Sequence, residues 1–138
     1  MGIRVKNLQH KVYEFVCRGN ATAANNKDSH VVQFPGYISN CLGVCKDGGA
    51  STASVVDINK NGTTIFGGAT KVSFSAAAPA VVTYATLTAN PTPVAAGDVL
   101  SMDVDSCSTT ASNLTVLVTV TRTGVVTADN ITDHDDVL

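Results

Sequence analysis

Apolar and polar residues alternate along most of this chain with a period of two, the pattern an extended strand imposes because successive side chains leave it on opposite sides. The clearest run is LTVLVTVTR at 114–122, where Leu114, Val116, Val118 and Val120 share one face and Thr115, Thr119 and Thr121 most of the other. Leu100, Met102 and Val104 alternate in the same way with Ser101, Asp103 and Asp105. In the unit at 54–66, Val56 and Ile58 point one way and Val55, Asp57 and Asn59 the other. Further strands are predicted at 11–17 (KVYEFVC), 31–34, 37–45, 72–76 and 80–88. Within 37–45 the alternation assigns Ile38, Leu42 and Val44 to one face and Tyr37, Ser39, Cys41 and Cys45 to the other.

Turn chemistry separates these runs. Asn61-Gly62 is the strongest local signal, because glycine accepts a positive φ at little cost and asparagine tolerates it better than most residues. Gly97-Asp98 opens the strand that carries Leu100, Pro35-Gly36 stops the run at 31–34, and breaks are predicted near Pro79 and at Asn90, Pro91 and Pro93. The Asn-rich stretch NATAANNKDSH at 20–30 lacks periodicity and reads as a loop, as do 46–53 and 108–113. About eight strands at roughly ten-residue spacing, with no helical period, predict an all-β fold: a two-sheet antiparallel β-sandwich of jelly-roll type. The domain spans 11–123, with an N-terminal arm at 1–10 and an acidic C-terminal arm at 124–138.

Composition sharpens that picture. A chain of 138 residues suits one domain with one core. Only 14% of residues are charged while 44% are apolar, so Thr, Ser and Asn supply most of the polar surface. Threonine is β-branched and favours strands. A net charge of −2 gives no overall drive toward nucleic acid or anionic membranes. The charges are unevenly placed: Arg4, Lys6, Lys11, Arg18 and Lys27 lie early, and Asp129, Asp133, Asp135 and Asp136 lie late. These are either solvated tails or arms that dock on oppositely charged neighbours. No apolar run reaches the length of a membrane span, and the first thirty residues lack the apolar stretch of a secretion signal. Cys17, Cys41, Cys45 and Cys107 are therefore expected as thiols in a reducing compartment.

Candidate chemistry is sparse. His10, His30 and His134 all fall in predicted arms or at loop ends, and no G-x-S-x-G elbow frames a serine, so neither a nucleophilic triad nor any other enzyme is indicated. On one extended strand Cys41 and Cys45 would sit about 13 Å apart, too far for a disulfide or a shared zinc; in a turn they could be metal ligands with Cys17 or a histidine, but buried inert thiols are the expectation. Asp103 and Asp105 share a face, as do Asp57 and Asn59; they suit outward solvated groups better than a calcium site, which wants six to eight oxygens. Tyr13, Tyr37 and Tyr84 are expected in core or interface packing rather than as sugar platforms. No cofactor or metal is implied.

The succession of VVDINKNGTTIF, a spacer with a short strand, PVAAGDVLSMDVD and a closing NLTVLVTV strand resembles a recurrent pattern in phage structural proteins, over roughly residues 37–122. Asn61, Gly62, Gly97 and Asp98 are the turn residues that carry it. The resemblance implies a jelly-roll module of the capsid decoration (cement) and head-fibre type. On that basis the expected function is a structural virion protein, made in the host cytoplasm, which decorates and stabilises the outer capsid surface as a homotrimer by bridging subunits of the major capsid protein. Arg4, Lys6 and Lys11, or Asp133, Asp135 and Asp136, are the expected contact residues of its arms. The alternative is a receptor- or carbohydrate-binding module of a tail or head fibre.

Overall fold

The alternating runs assemble into two antiparallel sheets whose inward faces share one core, in a computed structural model that describes residues 10–67, 70–76 and 82–123. In chain order the strands are β1 (His10–Asn20), β2 (Ala24–Val31), β3 (Gly36–Val44), β4 (Ser54–Lys60), β5 (Thr63–Thr64), β6 (Val72–Phe74), β7 (Val82–Tyr84), β8 (Thr92–Val94), β9 (Val99–Ser106) and β10 (Ser112–Arg122). There is no helix among the described residues. One sheet runs β1-β10-β3, and β7 and β8 both pair with the far side of β3. The other runs β2-β9-β4, and β5 and β6 both pair with β4. Ten strands thus occupy eight positions, four per sheet, and the chain crosses from sheet to sheet as it enters β2, β3 and β4 and again as it enters β7, β9 and β10. This order is a jelly roll.

The inward positions make one dry layer. Phe15, Ile38, Ile58, Phe74, Leu100, Met102, Leu114, Val116, Val118 and Val120 are all fully buried. Burial of each such side chain contributes about 1.5–3 kcal/mol before the entropy of ordering the chain is set against it. The alternation read in β9 and β10 is the alternation observed. At the β4–β5 hairpin Lys60 pairs with Thr63, and the two loop residues Asn61 and Gly62 have φ of +49° and +85°. Gly97, at φ +94°, is the third residue of a turn closed by a bond from Asp98 N–H to Ala95 O.

Four local expectations are corrected. Much of the stretch at 20–30 is not a loop: Ala24–Val31 is the edge strand β2, laddered to β9. Its polar composition hid it, because its inward positions Asp28 and His30 reach toward β1 instead of filling the core. Residues 32–34 follow that strand as irregular chain, with Val32 buried and bonded to the Gly97-Asp98 turn. In β3 the extra residue Ser39 makes a bulge opposite the Thr119–Val120 step. Ile38 faces inward as expected, but beyond the bulge the phase inverts, so Cys41 is buried and Leu42 and Val44 turn outward. Thr92–Val94, where prolines were expected to break the ladder, pairs with Gly36–Ile38 as a short edge strand, a place that tolerates proline. The predicted break near Pro79 and both outer arms lie outside the described residues, while His10 and Lys11 already belong to β1.

Gly43 shows how tightly the layer is closed. A Cβ added there would sit 2.4 Å from Val72 Cγ1 and 3.0 Å from Phe74 Cζ, both on the facing side of the core. Gly43→Ala should therefore destabilise the fold by about 1–3 kcal/mol through overpacking, read as a lower urea midpoint with an unchanged slope.

Candidate functional site

The four turn residues singled out by sequence meet at one end of the sandwich. The Asn61 side chain donates to Asp98 Oδ1 at 2.9 Å and accepts from Val99 N–H at 2.9 Å, while its backbone N–H bonds Val99 O at 2.8 Å. Asp98 Oδ2 accepts from Ala95 N–H at 2.8 Å. The Ala95 N–H and then the Asn61 amide hold the Asp98 carboxyl below the usual aspartate range. Two turns separated by 37 positions in the chain are thus clasped together. Their role is architectural.

Of the expected arm contacts, Arg4, Lys6, Asp133, Asp135 and Asp136 lie outside the described residues, as does His134. Lys11 sits in β1 opposite Val120, its ammonium 5.5 Å from the centre of the Tyr13 ring. Tyr13 is buried and its hydroxyl accepts from Gln33 N–H at 3.1 Å, whereas Tyr37 is 41% exposed. His10 Nδ1 lies 3.0 Å from Thr121 Oγ1, and His30 Nε2 lies 2.8 Å from Glu14 O.

On the outer face of the β2-β9-β4 sheet the pairs Asp57/Asn59 and Asp103/Asp105 come together around a residue that sequence reading passed over. Lys71 Nζ lies 2.9 Å from Asp57 Oδ2 and 2.6 Å from Asp105 Oδ2. Thr64 Oγ1 donates to Asp57 Oδ1 at 2.5 Å, the Asn59 amide donates to Asp103 Oδ2 at 2.8 Å, and Asn26 N–H reaches Asp103 Oδ1 at 2.6 Å. The Asp57 side chain, only 7% exposed, is thereby neutralised in place. Bonds from Asp105 and then Asp57 push the Lys71 ammonium pKa up. No group of three or more His, Cys, Asp or Glu able to hold a metal occurs among the described residues. The signal for this network was an aspartate inside the apolar run VVDIN, facing the same side as Lys71 and Ser73, which flank inward Val72.

The outer face of the β1-β10-β3 sheet is of another kind. Register places four rows across it: Val16, Thr115 and Val44; Glu14, Leu117 and Leu42; Val12, Thr119 and Asn40; His10, Thr121 and Tyr37. Glu14 is the one carboxylate in these rows, and they hold no lysine or arginine. Val12 is 53% exposed, and Val16, Leu42, Val44 and Leu117 are half-buried. This face exists because the Ser39 bulge turns Leu42 and Val44 outward, which is why simple alternation missed it.

Neither a family model, nor a curated protein, nor a solved structure matches this chain.

A shallow groove of about 200 Å³ beside the β4–β5 hairpin is lined chiefly by Lys60, Thr63, Thr64, Ile65, Thr88 and Thr92, with no aromatic ring in its wall. None of the four cysteines is in a disulfide: Cys17, Cys41 and Cys45 are buried, and Cys107 is partly exposed. Burial pushes the Cys41 thiol up to about 12. Burial, and then the neighbouring Cys17, raise Cys107 as well, while Lys27 opposes this.

Two outcomes are expected. A disulfide-exchange reagent at pH 8 should modify Cys107 first, with Cys17, Cys41 and Cys45 reacting only as the protein unfolds; early labelling of Cys41 in the native state would contradict its burial. Because the folded pKa of Lys71 is raised, its stabilisation is fully present below the ordinary lysine value of about 10.4 and is lost as pH climbs through the folded value. Lys71→Met should cost about 1–2 kcal/mol at pH 7, and the gap from wild type should persist at pH 9 and narrow only as pH rises beyond the ordinary lysine value in urea titrations.

Proposed function

We propose that this chain is a structural protein of a bacteriophage particle that decorates and stabilises the outer surface of the capsid by bridging subunits of the major capsid protein. The observation that carries the reading is the contrast between the two outer faces. One is a self-satisfied lattice of Asp57, Asp105, Lys71, Asn59 and Asp103, fit to meet water. The other offers four nearly uncharged rows of Val, Leu, Thr and Tyr, fit to be covered. A rigid sandwich with one coverable face is suited to cementing. A homotrimer seated where several capsid subunits meet would multiply modest contacts through effective concentration.

The points where the arms attach support the same reading. His10 pairs with Thr121, and Arg122 lies opposite Gly36, so the segments before residue 10 and after residue 123 leave from one end of this same sheet. Arg4 and Lys6 thus precede, and Asp133, Asp135 and Asp136 follow, described chain ends that lie beside the coverable face. A receptor- or carbohydrate-binding role draws less support, because the threonine-lined groove has no aromatic platform.

Leu117→Lys places a charge at the centre of the coverable face, and Ser73→Lys places one on the opposite sheet. Cosedimentation with expanded heads that lack this protein should show occupancy reduced about tenfold or more by Leu117→Lys, equivalent to about 1.4 kcal/mol, and unchanged by Ser73→Lys. Equal binding by both variants would reject the face, and binding of the isolated domain to glycans but not to heads would reject the decoration role.

A further inference from the structure

Both sheets of the sandwich end on the same side, in β1 and in β2, and this shared edge is closed in an unusual way. β1 is eleven residues long, rich in strand-forming side chains, and has β10 on one flank only. An edge of this length presents a row of outward N–H and C=O groups that any extended chain can pair with. In β1 the central members of that row are already occupied. Val16 N–H donates to Asp28 Oδ2 at 3.1 Å, and Glu14 O accepts from His30 Nε2–H at 2.8 Å. Both partners are side chains of β2, the edge of the other sheet. They stand at its inward positions, opposite the buried Met102 and Leu100.

Nothing in the hydrophobic core requires polar residues there. A valine or leucine at 28 and 30 would continue the apolar layer. Asp28 and His30 remain about a third exposed and lie 3.7 Å from each other. Asp28 is further fixed by Ser29 N–H on its other oxygen at 2.9 Å, and the His30 ring packs edge-on against Phe15 at 4.8 Å between centroids. The two side chains are thus held in the geometry of a substitute strand, one supplying the acceptor and the other the donor that a neighbouring backbone would provide.

We propose that Asp28 and His30 guard a latent strand-accepting edge on β1, and that the occupant they exclude is β1 of a second copy of this chain. The two guarded groups are self-complementary. A two-fold axis through Phe15 sets each Glu14 carbonyl against the Val16 N–H of the other copy, so the pair closes two reciprocal bonds and extends the β1-β10-β3 sheet across both molecules. The guard blocks this edge-to-edge pairing and leaves the outer sheet faces free. It acts whatever the number of subunits in the wild-type assembly.

The test compares particle mass at equal concentration by light scattering coupled to size exclusion. Asp28→Ala with His30→Ala should double the mass relative to wild type, or yield larger sheet-extended species. Adding Val16→Pro, which removes an outward N–H without breaking a bond to β10, should restore the wild-type mass. Asp28→Asn with His30→Gln, which keeps an acceptor and a donor in place, should stay at the wild-type mass throughout. A folded double-alanine protein of wild-type mass, or association that survives Val16→Pro, would overturn the proposal. If the double-alanine protein loses its β-sheet circular dichroism, Asp28→Ala alone decides. It must show faster amide exchange at Val16 and a mass that rises with concentration, and a constant mass up to millimolar concentration would equally overturn the guard.

Discussion

Everything in this molecule follows from placing β10 and β9 at the centres of two facing sheets, each flanked on both sides and each contributing an uninterrupted inward row. Leu114, Val116, Val118 and Val120 face Leu100, Met102 and Val104 across a dry interior, and all seven are essentially fully buried. Because side chains alternate strictly, every residue that completes this layer commits its neighbours to an outer surface. The character of the two surfaces is therefore written by the residues between the core positions. In β10 these are threonines and Leu117; in β9 they are Ser101, Asp103 and Asp105.

The sequence was most legible where both of these conditions hold together. β4, β9 and β10 show their alternation openly because buried apolar residues recur at every second position and the positions between them are mostly polar. The turns at Asn61-Gly62 and Gly97-Asp98 were equally plain, since positive φ selects so few residues. Legibility failed where tertiary partners replaced hydrophobic pattern. β2 has no apolar row because its inward side chains bond to a neighbouring backbone, and nothing local distinguishes such a strand from a polar loop. β3 deceived because one inserted residue, Ser39, reverses the parity of everything after it.

The candidate surface was hidden for the same reason. Leu42 and Val44 look like core residues to any reading that carries the phase of Ile38 through the bulge. Once the parity flips, they join Val12, Val16 and Leu117 on one outer sheet and leave Cys41 and Gly43 to fill the interior. The Asp57–Lys71 pair shows the converse. Its partners lie fourteen positions apart on β4 and in the residue leading into β6, and only sheet register brings them together. Turn residues read from sequence keep their predicted local shape, but their mutual contact through Asn61 and Asp98 depends on the whole topology.

That contact gives one corner of the protein a chemical clock. Asn61 precedes glycine, the neighbour that least hinders attack of a backbone nitrogen on an asparagine side chain; ring closure expels the amide nitrogen as ammonia, and addition of water to the ring leaves a carboxylate in place of the amide. The amide is what donates to Asp98 Oδ1, so its loss would set two negative groups against each other where a hydrogen bond had been. Ageing at this single peptide would unfasten the β4–β5 hairpin from the turn that launches β9. The same clasp opposes that reaction, because the amide must leave both of its hydrogen bonds before the ring can close.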